Sequence, residues 1–239
     1  MRRVNEQITW HPMRLFLDLV RQSEDLLDIG CGPNGSYWYS SVPEATELTA
    51  MDLYCIPAIP RKKFSLFKMD AIDLDQSDRP FQATEIKNGM EIKREVCWKE
   101  KFDLVVADHV FEHVSDPHRL AKGLSIVTRK EGHVHIGIPD PLNFTERFFH
   151  LIHPEGGGHI SKITKNEMIQ MMNESGFSLQ EYQDWIDDWQ WLKKLYDWKM
   201  RGIQYFSQED LDFIADTFIR ELSPEKGYFY GGEYLFQRV

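Results

Sequence analysis

A short apolar run that ends in closely spaced glycines constrains this chain more than any other feature. The run DLLDIG at 25–30 is followed at once by CGPNG, so that Gly30, Gly32 and Gly35 form a GxGxxG pattern. A few apolar residues cut off by glycine are typical of a buried strand. Glycine also allows positive φ angles and a close approach of a ligand to the backbone. The pattern therefore predicts a strand-to-helix turn that binds a nucleotide-like cofactor.

Further strand patterns alternate with helical patterns along the chain. Apolar runs that predict strands recur at 48–54, 64–70, 102–108, 132–139, 177–186 and 228–239, and helical patterns occupy 11–22, 34–43, 115–128 and 164–175. Strands joined through helices pair in parallel, and their ligands bind beyond the carboxyl ends of the strands. We therefore expect an α/β fold with a doubly wound, mostly parallel, seven-stranded sheet.

Two segments look like additions to such a fold, within a single domain that spans 1–239. Residues 81–98 carry an Asn88-Gly89 pair between alternating flanks. This is the pattern of a tight hairpin turn, and it predicts a projecting β-hairpin insert within 76–100. Tryptophans and aliphatic residues at helical spacing predict a helical insert at 187–226.

Acidic residues stand at the ends of the first three predicted strands. Asp28 precedes Gly30 by two residues, where a carboxylate would meet a cationic cofactor and repel a pyrophosphate. Asp52 closes the second strand, near the spacing at which an acid reaches ribose hydroxyls in nucleotide-binding folds. Asp70 follows the third strand, where it could accept a hydrogen bond from an adenine amino group, although Asp73 and Asp75 compete for that position.

The charge balance narrows the classes of partner. Lys and Arg number 28 against 38 Asp and Glu, which gives a formal net charge of -10. Such a charge repels phosphate backbones and anionic membrane surfaces. No window approaches the roughly 20 apolar residues of a membrane span, and three scattered cysteines suit a reducing compartment. We expect no nucleic-acid partner, no membrane association and a cytoplasmic location.

Five segments in order, LLDIGCG, AMDLY, KMDAIDL, FDLVVADHVFEHVSDP and HVHIGIP, resemble the class I S-adenosylmethionine-dependent methyltransferases, and the small-molecule (type 11-like) branch most closely. The resemblance implies S-adenosylmethionine as cofactor, S-adenosylhomocysteine as product and a small-molecule acceptor. It further implies that the methionine end is held at the first turn, the ribose by Asp52 and the adenine by Asp70. The cofactor-binding residues expected from it are Asp28, Gly30, Cys31, Gly32, Asp52, Leu53, Asp70, Ala71, Asp108 and His109.

Three histidines are candidates for proton transfer. His109 and His113 follow the fourth strand, and His159 follows three consecutive glycines in the loop after the fifth strand. A neutral imidazole can take a proton from a hydroxyl or an amine, although alignment of the reactants can supply most of the catalysis in a methyl transfer. We expect O-methylation ahead of N-methylation. No tight ligand spacing indicates a metal site, and we expect none.

Two alternatives stay open at this point. A nicotinamide-dependent oxidoreductase uses the same kind of sheet and glycine pattern, although Asp28 argues against a pyrophosphate. A non-catalytic protein could also keep the S-adenosylmethionine fold for binding and use the aromatic insert for partner contact. The complete set of cofactor motifs favours an enzyme over both.

Overall fold

The structure is a computed structural model, which describes residues 13–33, 35–54, 63–142, 146, 158–187 and 228–239. The predicted helical insert at 187–226 lies almost wholly outside these residues, as do His150 and His153 of the loop after the fifth predicted strand. Within the described ranges, no helix is long and apolar enough to cross a membrane.

One sheet of nine strands organises the described chain. The strands are β1 Asp25–Ile29, β2 Glu47–Asp52, β3 Phe64–Lys68, β4 Phe81–Lys87, β5 Met90–Val96, β6 Phe102–Asp108, β7 Thr128–Pro139, β8 Phe177–Asp187 and β9 Tyr228–Arg238. Their spatial order is β5-β4-β3-β2-β1-β6-β7-β9-β8. The five central strands, which lie in the spatial order β3-β2-β1-β6-β7, are parallel to one another. Strand β9 lies between β7 and β8 and is antiparallel to both.

The sheet has nine strands rather than the predicted seven, because the two strands of the hairpin also belong to it. As predicted, β4 and β5 turn at Asn88 and Gly89, whose φ angles of 53° and 73° are those of a tight turn with two left-handed residues. The hairpin does not project from the fold, however. Leu66 of β3 pairs with Ile86 of β4, so the hairpin extends the parallel sheet at its edge.

Helices cover both faces of the sheet. Helix α1, Arg14–Gln22, packs Phe16 and Val20 on one face together with Trp38 of a short 3₁₀ helix. Helices α2, Pro117–Val127, and α3, Lys165–Glu174, pack on the other face. Asp116 caps α2, and α3 begins with a capping box between Thr164 and Glu167. The fold is therefore doubly wound.

The strand order fixes where a ligand can bind. From β1 the chain steps outwards to β2 and β3, and it then returns to the other side of β1 with β6 and β7. The order therefore reverses between β1 and β6. In an open parallel sheet the crevice beyond the carboxyl ends of the strands, at such a reversal, is the ligand site.

Candidate active site

A cleft of about 530 Å³ lies at this reversal. Its walls come from the residues that follow β1, β2, β3 and β6, and from one segment after the glycine-rich loop. The lining residues are Ile29, Gly30, Met51, Asp52, Leu53, Tyr54, Met69, Asp70, Ala71, His109, Val110, His113, Val114, Ser115, Gly158 and Ile160. The volume is within the usual range for small-molecule and cofactor pockets.

The glycine turn after β1 adopts backbone angles that favour glycine. Gly30 and Gly32 have φ angles of +71° and +64°. A Cβ atom at Gly30 would lie 2.8 Å from Cγ2 of Val110, whereas at Gly32 it would meet nothing within 4 Å. Gly30 therefore needs to be glycine both for its φ angle and for the space beside Val110, and it lines the cleft directly.

Asp52 connects the end of β2 to the glycine turn. One carboxylate oxygen accepts a hydrogen bond from the Gly32 amide at 3.0 Å, and the other accepts from the Tyr54 amide at 2.8 Å. These bonds hold the side chain at the wall of the cleft, next to Leu53. A carboxylate fixed in this way can accept from a pair of vicinal hydroxyls.

Arg119 distinguishes two of the three acids after β3 from the third. Its guanidinium contacts Asp75 at 2.6 Å and Asp73 at 3.4 Å, and its hydrogen bond with Asp75 lowers the pKa of that carboxyl below its usual value. Asp70 instead lines the cleft with Ala71 and accepts a hydrogen bond from the Ile72 amide. Of the three acids, Asp70 is the one that lines this cleft in the described chain.

Asp28 lies behind the cleft rather than on its wall. It is 1% exposed, and one of its oxygens accepts 2.6 Å hydrogen bonds from the hydroxyls of Ser36 and Tyr39. Burial raises the pKa of Asp28 to about 7, although both hydrogen bonds oppose the rise. A cation bound nearby would favour the charged carboxylate. Cys31 and Gly32, in the turn that follows, are also not among the residues that line the cleft in the described chain.

Asp108 ends β6 beside the cleft and belongs to a buried charge network. The imidazole of His135 lies 3.1 Å from Asp108 and 3.4 Å from Glu233, and it stacks on Phe16 with ring centroids 4.0 Å apart. Burial alone would lower the pKa of His135, but the two carboxylates outweigh it and raise the pKa to about 9. His135 is therefore a buried cation that neutralises part of the acidic charge behind the cleft.

The three candidate histidines lie in or beside the cleft. His109 lines the cleft with a φ angle of 54°, and its Nδ1 lies 3.0 Å from a carboxylate oxygen of Glu112. His113 also lines the cleft. His159 lies outside the lining, between Gly158 and Ile160, and its ring meets that of His113 edge-on at 4.7 Å.

Carboxylates support two of these imidazoles. Desolvation would lower the pKa of His109, but its hydrogen bond to Glu112 and the charge of Glu112 raise that pKa above the usual value. His159 places Nδ1 2.6 Å from Glu146, which is 2% exposed. Each pairing orients one ring nitrogen, and the pairing with Glu112 also favours the charged imidazole of His109.

The sequence did not identify the hydrogen-bond partners that orient the predicted site residues. Ser36 and Tyr39 fix Asp28, and Glu146 fixes His159. None of them stands in a pattern that marks it. His135 did carry a signal, because a histidine at a core-facing position of an apolar strand must find a partner when it is buried. Its partner Glu233 is 98 residues away, however.

Comparisons with known proteins agree with this geometry. The methyltransferase domain family matches residues 2–182, more than half of the chain. An Archaeoglobus fulgidus SAM-dependent methyltransferase has a TM-score of 0.55 at 16% identity, over 95% of this chain and 90% of that chain. A SAM-dependent methyltransferase from Methanosarcina mazei has a TM-score of 0.54 at 12% identity, over 96% and 99%.

A third similar structure contains two bound small molecules. It is the phosphoethanolamine N-methyltransferase 2 of Haemonchus contortus with phosphomonomethylethanolamine and S-adenosylhomocysteine, with a TM-score of 0.53 at 14% identity. The match covers 95% of this chain and 49% of that one. No curated protein sequence is significantly similar to the chain. The family match decides for methyl transfer over nicotinamide-dependent oxidation: the chain belongs to the methyltransferase domain family and is a class I S-adenosylmethionine-dependent methyltransferase.

Proposed function

We propose that this methyltransferase transfers the methyl group to a hydroxyl oxygen of a small-molecule acceptor. The observation that carries the proposal is the composition of the cleft at the carboxyl ends of β1, β2 and β6. Carboxylates suited to a nucleoside, Asp52 and Asp70, and imidazoles suited to a hydroxyl, His109 and His113, line the same cleft. Its volume of about 530 Å³ and the net charge of -10 favour a small acceptor over a polynucleotide.

The cofactor would extend along the strand ends from the glycine turn to β3. Asp52 would accept from the ribose hydroxyls, and Asp70 with the backbone of Ala71 would bind the adenine. Gly30 would allow the methionine end to approach the backbone, with Asp28 behind it as the buried anion nearest to a bound ammonium. Each of these assignments agrees with the position of the residue at or behind the wall of the cleft.

The imidazoles would serve the acceptor. When bound, S-adenosylmethionine supplies an electrophilic methyl group on a sulfonium that leaves as a neutral thioether. The walls of the cleft align an acceptor oxygen with that methyl group, which accounts for most of the rate. As the oxygen forms its new bond to carbon, its proton passes to an imidazole of the group formed by His109, His113 and His159.

An amine acceptor is the second candidate. The observation in its favour is the similarity to the Haemonchus contortus enzyme, whose name specifies N-methylation and whose structure contains a phosphorylated amine. An amine nitrogen carries its own lone pair once it is deprotonated, so it depends less on a base at the moment of transfer. The pH dependence of the rate would therefore differ between the two kinds of acceptor.

Methyl-labelled S-adenosylmethionine and pools of small hydroxyl and amine compounds test the proposal. Mass spectrometry of the products identifies the atom that carries the label. We expect label on oxygen, and turnover that depends on the imidazoles. Label on nitrogen in every active pool would overturn the hydroxyl assignment, and label only on protein or polynucleotide would overturn the small-molecule assignment.

A further inference from the structure

Three side chains beside the cleft come together as a set of metal ligands. Glu112 and His113 lie in the 3₁₀ turn that follows β6, and His159 comes from the segment after the glycine-rich loop. Each offers one potential ligand atom, and these three atoms lie within 4.8 Å of one another. Two imidazoles and a carboxylate are a common ligand set for divalent transition metals.

Each of the three side chains already has one polar atom in contact with a neighbouring group. His113 directs Nδ1 to the carbonyl oxygen of Gly158 at 2.9 Å, and His159 directs Nδ1 to Glu146 at 2.6 Å. One oxygen of Glu112 lies 3.0 Å from the ring of His109. Histidines that bind metals usually donate their second ring nitrogen to a carboxylate or a backbone carbonyl, which fixes the ring and raises its basicity.

Glu112 gives an independent indication of a cation. The residue is 2% exposed, and within the described part of the chain its second oxygen, Oε2, is buried and has no hydrogen-bond partner. A buried carboxylate oxygen without a partner is costly, and such atoms are rare in native structures. A bound cation would satisfy this oxygen, and the two imidazoles lie where they would complete its coordination.

We propose that Glu112, His113 and His159 bind one divalent transition-metal ion, with Zn²⁺ as the first expectation. Ligand atoms about 2.1 Å from a tetrahedral Zn²⁺ are about 3.4 Å apart. The observed limit of 4.8 Å therefore requires movements of only about an ångström, which rotation of side chains can provide. Three protein ligands leave the fourth position open, as in catalytic zinc sites.

The open position would face the acceptor, because His113 and the flanking residues Gly158 and Ile160 line the cleft. This role rests on the proposed function, whereas metal binding itself does not. An acceptor hydroxyl bound to the ion loses its proton to bulk water at a lower pH than the free hydroxyl. Its oxygen then bonds to the methyl carbon while the carbon-sulfur bond breaks towards sulfur. In the metal-bound form His113 and His159 would act as ligands, which replaces the role as proton acceptors that the metal-free mechanism gives them.

Metal titration of the untagged full chain tests the site without any assay of activity. After EDTA treatment and dialysis, Co²⁺ is added and its visible absorption is followed, and Zn²⁺ is then titrated by calorimetry. Glu112→Gln, His113→Ala and His159→Ala are compared with His118→Ala, which removes an exposed histidine from α2. Circular dichroism establishes that each variant is folded.

We expect about one equivalent of metal in the wild type and in His118→Ala, and at least about tenfold weaker binding in the three ligand variants. Glu146→Gln should weaken binding by about ten- to a hundredfold through His159. Absence of saturable binding in the wild type, or equal binding in all variants, would overturn the site. A parallel titration of the wild type with S-adenosylhomocysteine separates this from failure of the proposed function, since either ligand can bind without the other.

Discussion

The buried network of Asp108, His135 and Glu233 predicts how stability depends on pH. The side chain of His135 is 0% exposed, and the two carboxylates raise its pKa from an ordinary 6.5 to about 9. The folded state therefore holds a proton on His135 that the unfolded chain releases near pH 6.5. The stabilisation is complete below pH 6.5 and is lost as pH rises towards 9.

The magnitude follows from the two pKa values of His135. Linkage with a folded pKa of about 9 and an unfolded pKa of 6.5 removes about 2 kcal/mol of unfolding free energy between pH 7 and pH 9. For a chain of this length such a loss lowers the melting temperature by about 4–8 °C. Because the folded pKa of Asp28 is about 7, its contribution to stability falls as pH rises to about 7 and changes little above that. Asp28 therefore adds little to the loss between pH 7 and pH 9.

Urea unfolding at pH 7, 8 and 9 measures this loss. His135→Gln should be less stable at pH 7 and should show a much flatter profile from pH 7 to 9. His133→Gln is the matched control on the same strand, because burial lowers the pKa of His133 and its proton is already absent above pH 7. If the wild type were equally stable at pH 7 and pH 9, or if His133→Gln flattened the profile as well, the assignment of a buried cation at His135 would be refuted.

Three further predictions concern the cleft. Gly30→Ala and Gly32→Ala should each cost about 1–2 kcal/mol for a left-handed non-glycine residue, but only Gly30→Ala meets Val110 at 2.8 Å. In thermal melts Gly30→Ala should therefore be the less stable of the two, and calorimetry should show that it loses more affinity for S-adenosylhomocysteine; equal losses would exclude the Val110 contact as the cause. Asp52→Asn should weaken the binding of S-adenosylhomocysteine about ten- to a hundredfold. Unchanged affinity in calorimetry would mean that the ribose binds elsewhere. His159→Ala should lower kcat with little change in cofactor affinity, and wild-type turnover from pH 6 to pH 9 would remove it from the mechanism.

Local signals explain how much of the fold could be predicted. Strands β1 and β6 are apolar runs with clear ends, and the capping box at Thr164 marks the start of α3 within a residue. The turn at Asn88 and Gly89 is recognisable because few other residues adopt its φ angles. Where the hairpin pairs is not a local property, however. The pairing of β3 with β4 depends on which edge of the sheet is open, and the sequence around the turn does not encode that.

The residues of the candidate site also fall into two groups, those that local sequence patterns identify and those that only the fold brings together. Gly30, Asp52 and Asp70 could be identified because each stands at the carboxyl end of a strand or within two residues of it, where the strands face the crevice. Partners that come from distant segments could not. Glu146 is one acid among several polar residues in its stretch of sequence, and only the folded chain places it beside His159. The grouping of Glu112 with His113 and His159 is likewise invisible in the sequence, where 45 residues separate Gly158 from His113.

A crystal structure of the chain with S-adenosylhomocysteine tests the central claim most directly. The account predicts the ligand in the cleft between the ends of β1, β2 and β6, with its ribose hydroxyls within hydrogen-bond distance of Asp52 and its adenine beside Asp70 and Ala71. The thioether sulfur should face the end of the cleft that His109 and His113 line. A ligand seated elsewhere, such as in the groove between β3 and the hairpin, or a cleft that binds NADH and not S-adenosylhomocysteine, would contradict it.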